Sequence, residues 1–115
     1  MIHPSADVSA EATIGSGTRI WHHSQVRERA SIGQNCILGK DVYVDYEVKI
    51  GDNCKLQNGV YVYHPAVLES GVFLGPGVII TNDQIPRAVN PDLTLKSDAD
   101  WQARPSVIAE GASVG

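Results

Sequence analysis

Very little in these 115 residues is aromatic: one Phe, two Trp and four Tyr. A core of packed rings is excluded, so the interior must be built from aliphatic side chains. Cysteine is equally sparse. Only Cys36 and Cys54 occur, with no CxxC pair, so neither a disulfide framework nor a thiolate zinc site is indicated. Lys and Arg never adjoin one another, and thirteen acidic residues outnumber nine basic ones to leave a net charge of −4. That balance leaves no electrostatic footprint for a nucleic acid or an anionic membrane. No run of eighteen apolar residues occurs, and Met1-Ile2-His3-Pro4 lacks the basic flank and apolar stretch of a secretory leader. These features predict a cytoplasmic protein. What is present, 43% apolar and 19% charged residues, is the composition of a globular chain, a single domain over residues 1–115.

The apolar residues are ordered. Every sixth position from Ile2 through Val8, Ile14 and Ile20 to Ile80 is Ile, Val or Leu without exception. Those three types fill only 29 of 115 positions, so an unbroken register of this length is not accidental. Four residues after each large aliphatic comes a small or β-branched one, the track that includes Ala6, Thr18, Cys36, Val42, Cys54 and Val72. Three residues after it, a third track carries Gly17, Asn35, Asp41, Asn53, Gly59, Gly71 and Gly77, types that tolerate a left-handed backbone. Each hexad therefore holds one large inward residue, one small inward residue and one corner. Neither the 3.6-residue period of a helix nor long alternating antiparallel strands accommodate this pattern. Short strands wound into a prism do, with parallel strands stacked about 4.8 Å apart.

If three hexads make one coil, residues eighteen apart lie above one another. Cys36 and Cys54 then stack on the small inward track, where two reduced thiols serve as small hydrophobes. Arg27 and Asp45 stack on an outward track, an exposed ion pair worth at most about 1 kcal/mol. The register fails at Asn82 and resumes at Ile108. Between them, residues 82–106 contain Pro86, Pro91 and Pro105 and show no period, which predicts a loop extruded from one corner. Loops this long in compact domains are usually functional.

The hexad pattern resembles the hexapeptide-repeat acyltransferase superfamily. That resemblance implies an all-β left-handed parallel β-helix of triangular section. A narrower resemblance rests on Thr81-Asn82-Asp83-Gln84-Ile85-Pro86-Arg87-Ala88, on Glu69 to Gly77 before it and on Trp101 after it. Ile20-Trp21-His22-His23, Val26-Arg27-Glu28 and Ile50 to Asn58 extend it over essentially the whole chain. These strings are similar to bacterial nucleotide-sugar N-acetyltransferases, nearest to the UDP-2-acetamido-3-amino-2,3-dideoxy-glucuronate N-acetyltransferases of O-antigen biosynthesis. The resemblance implies acetyl-CoA as co-substrate, a UDP-linked amino sugar as acceptor, and a homotrimer with the donor in a groove between subunits. Family members continue for several coils beyond the position of Gly115, so the expected domain is truncated at its C-terminus.

Amide formation from a thioester needs a neutral amine, a group that holds it and a group that takes its proton. Asn82 can accept a hydrogen bond from the amine through its side-chain carbonyl, and Asp83 is the nearest carboxylate for the proton. Asn and Asp also start loops, which leaves a turn-forming role open for both. Arg87 offers a planar fork for a diphosphate or a uronate carboxylate. Glu69, Gln57 and Tyr63, read as outward at a similar height, add sugar contacts. His22, His23 and His64 invite comparison with γ-class carbonic anhydrases, which share the fold and use three histidines. However, 42 residues separate His22 from His64, two coils plus one hexad, and no metal is expected. A non-catalytic acceptor-binding scaffold is the competing reading.

Overall fold

The computed structural model describes residues 1–115. Each large inward aliphatic closes a two-residue strand whose first member faces out, and fifteen such strands form three five-stranded parallel sheets. In the first sheet β1 (Asp7–Val8), β4 (Gln25–Val26), β7 (Tyr43–Val44), β10 (Tyr61–Val62) and β13 (Ile79–Ile80) stack in that order. The second comprises β2 (Thr13–Ile14), β5 (Ser31–Ile32), β8 (Lys49–Ile50), β11 (Val67–Leu68) and β14 (Val107–Ile108). The third comprises β3 (Arg19–Ile20), β6 (Ile37–Leu38), β9 (Lys55–Leu56), β12 (Phe73–Leu74) and β15 (Ser113–Val114). Pairs such as Val44 with Val62 and Leu38 with Leu56 confirm the eighteen-residue coil. The architecture is a parallel β-solenoid of about four turns, consistent with the expected left-handed prism.

The two inward tracks form the core. Ile20, Ile32, Leu38, Leu56, Leu68 and Leu74 are fully buried, with Ala30, Cys36, Val42, Val48, Cys54 and Val60 between them. Each large side chain removed from water contributes roughly 1.5–3 kcal/mol. The small track does more than fill space. Thr18 Oγ1 donates to the Gly33 carbonyl at 2.7 Å, and Ser24 Oγ to that of Gly39 at 2.8 Å. Cys36 and Cys54 repeat the pattern, donating through Sγ to the Gly51 carbonyl at 3.1 Å and the Glu69 carbonyl at 3.3 Å. Polar atoms buried in the stack are thus satisfied by the next coil. Both thiols are free, and the neighbouring Cys54 thiol, followed by burial, pushes the Cys36 thiol up.

From Gly17 to Gly77 the corners turn through a left-handed residue every sixth position, Pro65 excepted. Besides the anticipated Gly, Asn and Asp, the same conformation is imposed on His23, Arg29 and Glu47, at φ of 58°, 60° and 59°. The stacking register therefore overrides residue preference at those corners.

The loop over residues 82–106 inserts where expected. Val107 sits above Val67, an offset of 40 residues instead of 18. Its base is closed by Arg104 N–H donating to the Asn82 carbonyl at 3.0 Å and Ser106 Oγ to that of Thr81 at 3.4 Å. A 3₁₀ turn, η1 (Asp98–Asp100), and an antiparallel bridge between Val89 and Leu95 give it local order. Five strands about 4.8 Å apart span roughly 19 Å, so the 50 Å longest dimension reflects the loop, whose Leu93 and Leu95 are both 79% exposed.

Candidate functional site

Eighteen-residue stacking gives each of the three edges its own column of side chains. On the edge between the second and third sheets, Gly15, Gly33 and Gly51 let successive coils touch: a Cβ on Gly33 would lie 2.7 Å from the Gly51 carbonyl oxygen. The longer side chains there are used as caps, with Gln34 N–H donating to Asp52 Oδ1 at 2.7 Å and Asp52 N–H to Ser70 Oγ at 3.0 Å.

The edge between the first and second sheets is different. Arg27, Asp45 and Tyr63 form one column there, Glu28, Tyr46, His64 and Asn82 a second, and Arg29 and Glu47 a third. These residues and the returning loop, chiefly Asp98, Trp101, Gln102 and Ala103, wall a cleft of about 890 Å³. Trp101 Nε1 is buried in the loop wall without a partner.

Asp45 organises the floor. Its Oδ1 accepts from the Tyr43 hydroxyl at 2.8 Å, the Tyr46 N–H at 3.0 Å and Arg27 Nη1 at 3.3 Å, while Oδ2 accepts from the His64 N–H at 2.9 Å. The Arg27–Asp45 pair expected on a solvated face is therefore real but largely enclosed, with the Asp45 side chain only 8% exposed. Arg27, the Tyr43 hydroxyl and the Tyr46 and His64 N–H groups surround it, which stacking arithmetic alone does not reveal. Arg27 also binds Glu28 Oε1 at 2.7 Å. That hydrogen bond holds the Glu28 carboxyl below its usual range and, with Tyr43, raises the guanidinium further above its own. Burial, ahead of the neighbouring Asp45, pushes the Tyr43 phenol up.

His64 stands on this floor. Its ring stacks on Tyr46 at a centroid distance of 4.0 Å and an interplanar angle of 12°, and its side chain is 20% exposed. Nδ1 lies 3.2 Å from the Tyr46 carbonyl oxygen and 3.6 Å from Glu47 Oε1. Both neighbours are acceptors, so Nδ1 carries the hydrogen and Nε2 holds the lone pair. Nε2 makes no hydrogen bond within the protein and is not a buried atom. Asn82 Nδ2 donates to the His64 carbonyl at 2.6 Å. Because a carbonyl only accepts, the amide orientation is fixed and Asn82 Oδ1 is left without a protein partner.

Of the anticipated residues, the cleft gathers Asn82 and Tyr63. Asp83 shares a smaller neighbouring groove with Asn82, Arg104 and Ser106, and its Oδ1 accepts the Ile85 N–H at 3.1 Å, the turn-forming role that had remained open. Arg87 lies exposed on the loop and donates to the Pro86 carbonyl at 2.8 Å. Gln57 and Glu69 lie on other edges of the prism. Each is one hexad from Tyr63, which is one corner of the prism away. Gln57 lines a separate groove with Trp21, His22, Lys40 and Asn58, and Glu69 Oε1 accepts the Glu110 N–H at 3.0 Å on the glycine edge. His64 is the residue that sequence reasoning passed over. Its signal was available, since 64 and 82 differ by one coil and thus share a column with Asn82. His22 is on another edge, stacked on His3 at 3.6 Å.

Two stretches match family models, residues 29–64 the hexapeptide repeat of succinyl-transferase and residues 47–82 the six-repeat bacterial transferase hexapeptide. Over residues 29–82 the chain is thus similar to the hexapeptide repeats of bacterial transferases. Among curated proteins no sequence matches this repeat protein significantly. Among solved structures, a mutant of perosamine N-acetyltransferase from Caulobacter crescentus, in complex with CoA and GDP-perosamine, superimposes with a TM-score of 0.59 at 22% identity. A second mutant, described as GDP-perosamine N-acetyl transferase from the same organism with the same two ligands, gives 0.58 at 21%. Each alignment covers 84% of this chain and 56% of the other, so the repeat protein spans a little over half the length of these neighbours. At such identities the likeness is one of fold.

Proposed function

We propose that this chain takes part in acetyl transfer from acetyl-CoA to the amino group of a nucleotide-linked amino sugar, with a UDP-linked 3-amino-2-acetamido-hexuronate as the specific acceptor. The observation that carries the reading is the pair of unpaired acceptors, Asn82 Oδ1 and His64 Nε2, on adjacent coils of one cleft. An amine is the ligand that needs both. One N–H donates to Asn82 Oδ1, which orients the nitrogen lone pair. That lone pair attacks the thioester carbonyl carbon and forms the C–N bond. The proton that becomes acidic on the nitrogen passes to His64 Nε2, and the C–S bond then breaks, leaving a thiolate that takes the proton back from the imidazole. Glu47, 3.6 Å from Nδ1, stabilises the imidazolium formed in between. His64 thus replaces Asp83 as the proposed base. The match to transferase repeats and the fold shared with enzymes crystallised with CoA and GDP-perosamine support this reading.

The reading includes a homotrimer acting in the cytoplasm, in the assembly of bacterial surface polysaccharide, and the chain should sediment at three times its 12.4 kDa mass. The decisive assay is thiol release from acetyl-CoA dependent on the amino sugar. Asn82→Ala should lower the rate of amide formation by about 10²-fold while nucleotide binding changes little. Thiol release independent of any amine, or equal turnover by wild type and Asn82→Ala, contradicts the assignment.

A further inference from the structure

The cleft continues past Tyr63. The same residue also lines a second groove of about 540 Å³ over the outward face of the first sheet, together with His23, Gln25, Asp41, Tyr43 and Tyr61. Tyr43 is the fixed member. Its hydroxyl is held by Asp45 at 2.8 Å and Arg27 at 3.4 Å, and its ring meets Tyr61 at 6.1 Å and 77° and Tyr63 at 5.6 Å and 53°. Three rings thereby support one another on a rigid sheet. Around them stand groups without protein partners: the hydroxyls of Tyr61 and Tyr63 and the carboxamide of Gln25, with Tyr61 39% exposed.

A rigid aromatic surface stacks any nucleobase through its π-face, and a carboxamide complements the donor–acceptor edge of a base. Tyr61 precedes His64 by three residues, so at about 3.3 Å per residue the groove lies within roughly 10 Å of the amine position. On its far side the cleft meets the Glu11–Arg29–Glu47 ladder of exposed charges, which offers no ring to a base. We infer that the tyrosine groove is the subsite for the nucleoside portion of the acceptor. This rests on the proposed amine position at Asn82 and extends it to the other end of the same ligand.

Isothermal titration of the whole chain with UDP and, separately, GDP tests the subsite without any turnover. Tyr61→Ala should weaken binding of the preferred nucleotide tenfold or more, whereas Tyr61→Phe, which keeps the ring, should stay within threefold. Gln25→Ala should narrow the difference between UDP and GDP. Nucleotide-induced shifts of the Tyr63 and Gln25 side-chain resonances give a second readout that does not depend on a variant. Undiminished affinity in Tyr61→Ala overturns the inference, as does absence of binding by either nucleotide. So does dissociation of an assembly by Tyr61→Ala with nucleotide affinity intact, which would make the face a contact between copies. Amine-dependent thiol release assayed in parallel separates the two proposals. Tyr61-dependent nucleotide binding without acetyl transfer leaves the subsite standing and removes the reaction, and transfer with Tyr61-independent binding does the reverse.

Discussion

Two edges of the same prism, built from the same six-residue unit, have opposite characters. On the glycine edge, Gly15, Gly33 and Gly51 bring successive backbones into contact, and Asp52 and Ser70 cap neighbouring N–H groups. There Asp52 Oδ1 and Ser70 Oγ are taken up by the stack itself. On the Asn82 edge the corresponding positions carry Arg27, Asp45, Tyr63, Tyr46 and His64, whose bulk holds the loop wall away and opens the cleft. A repeating fold thus separates stability from chemistry by edge rather than by domain. The glycines make one edge inert so that the stack holds while another carries unpaired polar atoms.

The comparison breaks most sharply at His64. His64→Gln should lower amide formation by about 10²–10⁴-fold with little change in the thermal midpoint, since the ring contributes one stacking contact on a half-exposed surface. Turnover by His64→Gln within threefold of the wild type would show that the imidazole is a bystander.

Asp45→Ala probes whether the active edge also bears load. It leaves the Tyr43 hydroxyl, two backbone N–H groups and Arg27 without their acceptor, an expected loss of about 3 kcal/mol in urea unfolding. A loss below about 1 kcal/mol would mean that water replaces the carboxylate and that the floor is not enclosed. On the inert edge, Gly33→Ala forces a methyl against the Gly51 backbone and should cost about 1–3 kcal/mol without a change in KM. The smallest effect is expected for Cys36→Ser. Its hydroxyl takes over the bond to the Gly51 carbonyl as Ser24 and Thr18 already do for Gly39 and Gly33, so a midpoint shift of more than a few degrees would count against the equivalence of the small track.

The prism was legible because its cause is local and repeated. Ile, Val or Leu at every sixth position dictates the strands, and eighteen-residue stacking correctly paired Arg27 with Asp45 and Cys36 with Cys54 on neighbouring coils. Asn82 stood out because the register stops there. Less legible was whatever depends on one side chain covering another. Asp45 occupies an outward position and reads as solvated, yet Arg27, the Tyr43 hydroxyl and two backbone N–H groups surround its carboxylate. That Gln57 and Glu69 lie on other edges than Tyr63 follows from counting corners as well as outward positions. His64 was weighed only as a metal ligand, and its tautomer follows from the Tyr46 carbonyl, which no spacing reveals. Within residues 82–106 no period exists to read, and the bridge between Val89 and Leu95 and the η1 turn rest on local hydrogen bonds.

The offset across the loop bears on how such a protein acquires new chemistry. Bringing residues 40 apart into register instead of 18 adds about 0.7 kcal/mol of closure entropy at a single corner. Every other coil keeps its partners, because β14 lands on β11 as though nothing had been inserted. A solenoid corner is therefore a low-cost place for evolution to try segments of arbitrary length. Specificity can be rewritten by exchanging the insert between β13 and β14 while the rungs above and below keep the same sequence.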